Sequence, residues 1–267
     1  MENVGEKIKQ IRIKFEEELL GESPQFHPID IERVRCEDWQ IARYIINCNG
    51  DIDEAFRSLK RTLVWKNEIG LHQIDENYFP TEFYELYKVE KYGTDKCGRM
   101  IFTESFAKQR HYNELEQCFQ LMVAVSMEKM DRLAGERGMT YVGDFTNTPI
   151  YRMDIGLARY RVDCLNNHFP LLAKKIILNN VPFVLKPILR LIVSFMAKNV
   201  ENIVQYTTSD QLQTLIDWKY IPFEFGGPRN KRYYPLGTVP FHVCYTRFSV
   251  KPSFVQYFYR SNNLTLN

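Results

Sequence analysis

The residue types that most often perform catalysis or bind metals are scattered along this chain. Five histidines and six cysteines occur in 267 residues, and none forms the C-x-x-C or H-x-x-x-H spacing of a metal site. The sequence also lacks a G-x-S-x-G nucleophile elbow, a G-x-x-x-x-G-K-S/T phosphate loop and a G-x-G-x-x-G dinucleotide turn. His111 and Glu114 stand at a predicted helix start, where capping is commoner than catalysis. We therefore expect a non-enzymatic protein without metal or cofactor.

The strongest local pattern is an apolar segment from Val184 to Lys198. On a helical wheel, Lys186, Arg190 and Lys198 share a narrow arc, and the apolar residues fill the remaining arc of about 200°. Two basic residues interrupt the segment, so it is too short to span a membrane. Two interpretations stay open: a core helix against a sheet, or an edge helix that faces a cavity or a membrane. The apolar arc consists of Leu185, Ile188, Leu189, Leu191, Ile192, Phe195 and Met196.

Charge is distributed unevenly although the net charge is only +2, which gives no reason to expect nucleic-acid binding. Residues 159–198 hold seven basic residues against one acid, Asp163, and residues from Pro228 onward hold six basic residues and no acid. This polarity predicts an anionic membrane surface as a partner, where each nearby cation contributes about 1 kcal/mol. A dispersed solvated surface is the alternative. The membrane-facing candidates are Lys174, Lys175, Lys186, Arg190 and Lys198.

The elements that must position these residues fall into three regions. Residues 1–79 are predicted to be an all-helical head, because apolar residues recur at helical spacing and Asp51 with Glu54 forms a capping box. Residues 80–227 alternate β-rich and helical runs, which predicts an α/β lobe with a mainly parallel sheet. Residues 228–267 are predicted to be a basic arm or linker, with aromatics packed on the lobe surface as the alternative. The predicted strands lie at 99–106, 140–145, 175–181 and 202–207.

An ordered series of short motifs resembles the CRAL-TRIO lipid-binding domain family over residues 5–235. No single motif is specific to this family, but the order in which the motifs occur is far more specific. The motifs are Asp38-Trp39-Gln40, Ala42-Arg43-Tyr44, the run from Asp51 to Phe56 that opens a helix ending at Trp65-Lys66, the run from Asp95 to Arg99, Asp144, Phe169-Pro170, the run from Asn180 to Phe183, and the run from Ile221 to Gly227.

The resemblance implies a helical head, a sheet with one face over an apolar lipid pocket, and a mobile gate helix that roofs the pocket. The apolar segment at 185–196 corresponds to that gate. We predict that pocket residues come from the strands and from the helix after residue 113, together with the gate. The pocket candidates are Phe102, Phe119, Met122, Tyr141, Val142 and Ile177.

The resemblance argues against selectivity for phosphatidylinositol. Relatives that select this lipid use a lysine on the strand after the gate and a glutamate about nine residues before a Tyr-Pro motif. At the matching positions this chain has Ile203, or Asn202 if the match shifts by one, and Tyr160. We therefore expect no charged cradle for an inositol headgroup.

The leading functional hypothesis is binding, and possible transfer or sensing, of a hydrophobic lipid at cytosolic membrane surfaces. Scattered cysteines and a charged N-terminus favour a cytoplasmic setting. Some relatives carry a further domain and a membrane anchor, which implies endoplasmic reticulum contact sites or lipid droplets and a downstream domain or protein partner. The alternative is a protein-interaction module that docks a small GTPase or a membrane-contact partner and keeps a vestigial pocket. Shallow membrane insertion without lipid extraction also stays open.

Overall fold

The N-terminal region folds into helices around a core of its own. The computed structural model describes residues 4–21, 25–87, 89–197, 201–228 and 235–265. Apolar residues from all four helices and from an adjoining turn meet in one cluster. Asp51 caps the fourth helix by accepting a hydrogen bond from the N–H of Glu54 at 2.9 Å. The predicted helical N-terminal region is confirmed, and its helices are α1 (Val4–Leu19), α2 (Pro28–Cys36), α3 (Asp38–Asn47) and α4 (Ile52–Glu68).

A five-stranded sheet lies at the centre of the second region. Its strands follow chain order across the sheet: β1 (Val89–Thr94), β2 (Met100–Ser105), β3 (Met139–Asp144), β4 (Ala173–Asn179) and β5 (Val204–Thr207). Strands β2 to β5 are parallel, and β1 pairs antiparallel with β2. The predicted α/β fold with a mainly parallel sheet is confirmed. Strand β1 adds to the four predicted strands; its only large apolar residues are Val89 and Tyr92, so its periodic signal is weak.

Helices precede, connect and follow the strands, and they cover the two faces of the sheet. They are α5 (Thr81–Tyr87), α6 (Glu116–Ala134), α7 (Ile155–Asn167), α8 (Lys186–Ser194) and α9 (Ser209–Leu215). Helices α6, α7 and α8 share a core with one face of the sheet. Residues from α9 and from the segment after it cover the opposite face of the sheet, where they share a core with Ile101 of β2. On the first face, a ligand space can form where these three helices stand away from the strands.

The alternation of side chains along each strand corrects two predicted pocket residues. Tyr141 on β3 and Ile176 on β4 lie opposite each other in the parallel register and point to the face covered by α6, α7 and α8. Val142 and Ile177 are the next residues along and point to the other face, where both are fully buried. Both strands are buried on both faces, and large apolar residues stand side by side at Tyr141-Val142 and at Ile176-Ile177, so the sequence does not distinguish one face from the other.

The C-terminal segment belongs to the core of the lobe, which corrects the predicted arm or linker. It forms α10 (Phe241–Cys244) and α11 (Pro252–Ser261). The Phe83 ring on α5 lies 5.1 Å from the Phe241 ring and 5.7 Å from the Phe258 ring, measured between centroids. On α11, apolar residues at Phe254, Val255, Phe258 and Tyr259 form one buried face with helical spacing. Burying each Phe side chain contributes about 2 kcal/mol, which holds this segment against the lobe.

Buried ion pairs dock the helical head on α6. The Arg43 guanidinium donates to the Asp131 carboxylate at 2.6 Å and to the Pro170 carbonyl at 2.7 Å. Lys66 on α4 lies 2.7 Å from the Glu128 carboxylate. Burial alone would lower the pKa of Lys66, but the nearby carboxylates of Glu128 and Asp30 raise it. The head is thus fixed to the back of the helix that walls the first face of the sheet.

Candidate functional site

An apolar cavity lies between the sheet and helices α6, α7 and α8. Its volume is about 110 Å³. An engineered apolar cavity of about 150 Å³ stays dry and binds small apolar molecules, so this space is of a size that takes up part of an apolar ligand. Strands β2, β3 and β4 line one side of the cavity, and helices α6, α7 and α8 line the other. Among the lining residues are Tyr87, Phe106, Phe145, Leu157, Val162, Leu165, Ile176, Leu178 and Val193.

Methionine is the commonest residue type in the lining. Six of the eight methionines in the chain contact the cavity: Met122, Met127, Met130, Met139, Met153 and Met196. Methionine is unbranched and has three rotatable bonds, so a cavity of this composition adapts its shape to an occupant. Sequence reasoning predicted Met122 and Met196 and missed the other four. The spacing of Met122, Met127 and Met130 on α6 was the available signal, since these residues fall on one side of a helix.

The structure brings together half of the predicted strand and helix pocket residues. Phe119, Met122 and Tyr141 line the cavity. Phe102 is buried on the same face of the sheet, opposite Tyr141, but it belongs to the surrounding core and does not line the cavity. Val142 and Ile177 lie on the other face, as described above.

The predicted gate residues divide between the two sides of α8. Leu189, Ile192 and Met196 line the cavity. Leu185 is fully buried in the core before the helix, and Ile188 packs beside it as a half-buried residue. Phe195 instead faces outward with 40% of its surface exposed, and the Arg159 guanidinium lies 5.2 Å from its ring. Phe195 lies just past the end of α8, about 100° around the helix axis from the neighbouring Met196.

The predicted basic residues do not form one surface. Lys186 and Arg190 are exposed on α8. Lys174 lies half-buried near the start of β4, next to Gly138, and burial together with Arg43 and Arg99 lowers its pKa. Lys175 points to the sheet face opposite α8, in register with Thr140. The pairing register between β3 and β4 shifts at Lys174, which lies between the paired residues Ala173 and Lys175. Lys198 lies outside the described residues.

A buried polar cluster interrupts the apolar lining at the carboxyl end of β2. The Glu104 carboxylate accepts hydrogen bonds from Gln109 Nε2 at 2.6 Å, from Arg161 Nη2 at 2.5 Å and from the Tyr141 hydroxyl. Burial, together with the neighbouring Glu104 charge, raises the pKa of Tyr141. Glu104, Tyr141 and Arg161 all line the cavity. Sequence reasoning missed Glu104 and Arg161, because they lie 57 positions apart and no local motif joins them.

A group of potential metal ligands lies elsewhere, between the head and α6. Asp30, His72 and Glu128 each offer a ligand atom, and these atoms lie within 4.8 Å of one another. Lys66 and Arg33 both contact Glu128, and both also approach Asp30. Two cations therefore balance the two carboxylates, and the group fits a structural ion network better than a metal centre.

A family model for the CRAL/TRIO domain matches residues 84–227, more than half of the chain. The chain belongs to the CRAL-TRIO family. A CRAL-TRIO domain-containing protein from Dictyostelium discoideum is 24% identical over 208 residues, which cover 74% of this chain and 81% of that protein. Membership of the CRAL-TRIO family implies binding of a lipid or another small hydrophobic ligand, and the family consists of ligand-binding transfer proteins that are generally not enzymes.

The fold of this CRAL-TRIO chain is similar to a solved structure as well. The crystal structure of Sfh5 covers 96% of this chain, and the chain covers 99% of that structure, with a TM-score of 0.63 and 17% sequence identity. At this identity the similarity concerns the fold alone. Within the described part of the chain, no helix has the length and apolar character needed to cross a membrane.

The positions that correspond to the inositol-lipid cradle of CRAL-TRIO relatives are apolar or uncharged here. Ile203 and Tyr160 are half-buried and pack against the main hydrophobic core. Burial raises the pKa of Tyr160. The expected absence of phosphatidylinositol selectivity stays a prediction.

Proposed function

We propose that this protein binds one lipid-like hydrophobic molecule in the apolar cavity and exchanges it at a membrane surface, without catalysis. The observation that carries the proposal is an apolar cavity enclosed between the sheet and helices α6, α7 and α8. Burial of apolar ligand surface drives binding, at about 25 cal/mol per Å². The six methionines in the lining support a ligand site over a vestigial pocket, because their unbranched side chains can adapt to an occupant.

The outer side of α8 and the turn before it are apolar as well. Phe183 is 86% exposed and Leu191 is 52% exposed, and Val184 and Phe195 add to the same region of sequence. Exposed apolar surface of this kind is typical of membrane or partner contacts. Lys186 and Arg190 are exposed on the same helix, where they would meet the headgroups of an anionic membrane. We therefore propose that α8 is a gate that opens when its outer side enters a bilayer.

This mode of action is suited to a peripheral protein at cytosolic membranes. We propose the cytoplasmic face of membranes as its site of action, including endoplasmic reticulum contact sites or lipid droplets. Either intermembrane transfer or ligand sensing uses the same open and closed states of α8. A protein partner or further domain would determine which membranes the protein meets.

Two neighbouring residues on α8 give a matched test of the gate. Ile192 lines the cavity and Leu191 faces outward. Ile192→Asp should abolish ligand uptake, because an unpaired charge in an apolar cavity costs several kcal/mol. Leu191→Asp should keep a preloaded ligand but reduce binding to vesicles. Lipid mass spectrometry after solvent extraction measures the first property, and vesicle sedimentation measures the second.

A charge variant separates electrostatic from apolar contacts. Lys186→Ala combined with Arg190→Ala should weaken binding to phosphatidylserine vesicles by about 2 kcal/mol, or roughly thirtyfold, and should leave binding to phosphatidylcholine vesicles unchanged. Wild-type vesicle binding by the charge variant and by Leu191→Asp would contradict the gate. Wild-type protein that carries no extractable lipid and takes up none would contradict the ligand site itself.

A further inference from the structure

The cavity has one polar corner, formed by Glu104, Tyr141 and Arg161, with Gln109 behind Glu104. We propose that this polar corner selects ligands with a neutral hydrogen-bond-accepting oxygen, such as a ketone, an ester or a hydroxyl group, over hydrocarbons and over anions. The inference rests on the proposed function, because it defines the ligand class for the same cavity.

The hydrogen-bond acceptors of the polar corner already have partners. One oxygen of the Glu104 carboxylate accepts from Gln109 and from Arg161, and the other accepts from the Tyr141 hydroxyl. Glu104 is only 2% exposed, so these three donors replace the water that the charge would otherwise bind. The Tyr141 hydroxyl hydrogen is used in the same contact. We therefore do not expect Glu104 or Tyr141 to bind a hydrogen-bond donor of a ligand.

Arg161 supplies the donors that remain. A guanidinium has five N–H donors, and within the described residues Arg161 directs one hydrogen bond to Glu104. Its other described contact is with the face of the Phe106 ring, 5.7 Å from the ring centroid. Arg161 lines the cavity, and none of its nitrogens is among the fully buried atoms without a partner in the described part of the chain. The remaining N–H groups are thus accessible to an acceptor in the cavity.

The charge of the corner decides which acceptor fits. Arg161 and Glu104 cancel each other, so the corner has no net charge. A ligand carboxylate or phosphate would add a second negative charge beside Glu104 in an apolar cavity, where an uncompensated charge is costly. A neutral oxygen accepts from Arg161 without that cost. A hydrogen bond to a charged group is worth a factor of about ten or more in affinity, which separates an oxygen-containing ligand from a hydrocarbon.

A glycine keeps space at the corner. Gly143 on β3 stands opposite Glu104 on β2. A Cβ atom at this position would lie 3.0 Å from Cε2 of Phe106 and 3.4 Å from Cε1 of Tyr141. Any other residue at 143 would therefore press on two rings that border the corner.

Three probes of equal chain length test the selection: octadecane, 2-octadecanone and stearate. Each is delivered from cyclodextrin and displaces diphenylhexatriene, a fluorescent hydrocarbon, from the protein. For the wild type we expect 2-octadecanone to compete about tenfold better than octadecane, and stearate to compete no better than octadecane. Glu104→Gln leaves the Arg161 charge uncancelled, so stearate should gain about tenfold relative to the ketone.

The double variant Glu104→Gln with Arg161→Met is the matched control. It removes both charges and retains unbranched side chains of similar length, so octadecane and 2-octadecanone should compete within about twofold of each other, and stearate should compete no better than either. Equal binding of octadecane and 2-octadecanone to the wild type overturns the inference, as does a wild-type preference for stearate. If the variants do not fold, the wild-type ranking decides alone. Failure of diphenylhexatriene itself to bind the wild type would instead refute the proposed function.

Discussion

Replacing Lys66 with Met should strongly destabilise the docking of the helical head on α6. The Lys66 side chain is 5% exposed, and its ammonium lies 2.7 Å from one Glu128 oxygen. Burial alone would raise the pKa of Glu128, but Lys66, with Arg33 and Arg132, lowers it from 4.5 to about 2. That change corresponds to about 3 kcal/mol of stability. Removing one partner of a buried pair costs about 3–5 kcal/mol, so the two magnitudes agree.

The pH dependence has a defined sign. Because the pKa of Glu128 is lower in the folded protein, its contribution is fully present above pH 4.5 and is lost as the pH falls towards 2. The difference in free energy of unfolding between the wild type and Lys66→Met should therefore shrink by about half between pH 7 and pH 3. Urea denaturation followed by circular dichroism measures both values.

A surface pair provides the control for this experiment. Lys60 contacts Glu18 on the exposed side of the head. Lys60→Met should cost about 0–1 kcal/mol, because solvent screens such pairs. A cost below about 1 kcal/mol for Lys66→Met, or a cost that does not change with pH, would refute the reasoning about the buried network.

Three further outcomes are expected. Phe258→Ala should lower the free energy of unfolding by about 3–5 kcal/mol in a denaturant titration, because its ring is fully buried between the C-terminal segment and α5; a surface-like cost below 1 kcal/mol would contradict that packing. Val193→Phe should fill part of the cavity, so uptake of diphenylhexatriene should fall while the melting temperature is maintained; normal uptake would place the ligand elsewhere. Cys164 is buried, and burial raises the pKa of its thiol to about 12, so it should resist iodoacetamide until the protein unfolds; the exposed Cys97 is the control, and equal rates would refute the prediction.

Periodicity predicted the parts of the fold in which one period dominates. The helical head, four strands and the amphipathic α8 all follow from the spacing of apolar residues. Periodicity did not predict to which face of the sheet each strand residue points. Tyr141 and Val142 are adjacent apolar residues on a strand buried on both sides, so only the structure separates the cavity residue from the core residue.

The polar corner and the C-terminal packing illustrate two other limits of the sequence. Glu104 and Arg161 come from different elements, and only the crossover from β3 through α7 brings them together. For α11, a signal was present: Pro252 at the helix start and apolar residues four apart at Phe254 and Phe258 are typical of an amphipathic helix. The excess of basic residues in the segment favoured the interpretation as an arm.

The packing of α10 and α11 means that the folding unit extends past the family match, which ends at Gly227. A chain shortened to residue 227 would expose Phe83, whose ring contacts both Phe241 and Phe258. The Phe119 ring lies 5.0 Å from the Phe83 ring and also lines the cavity. Losing the contacts of Phe83 would therefore also affect the cavity wall. Mutations in the last thirty or so residues should therefore alter ligand selection indirectly, by moving a wall that they do not themselves form.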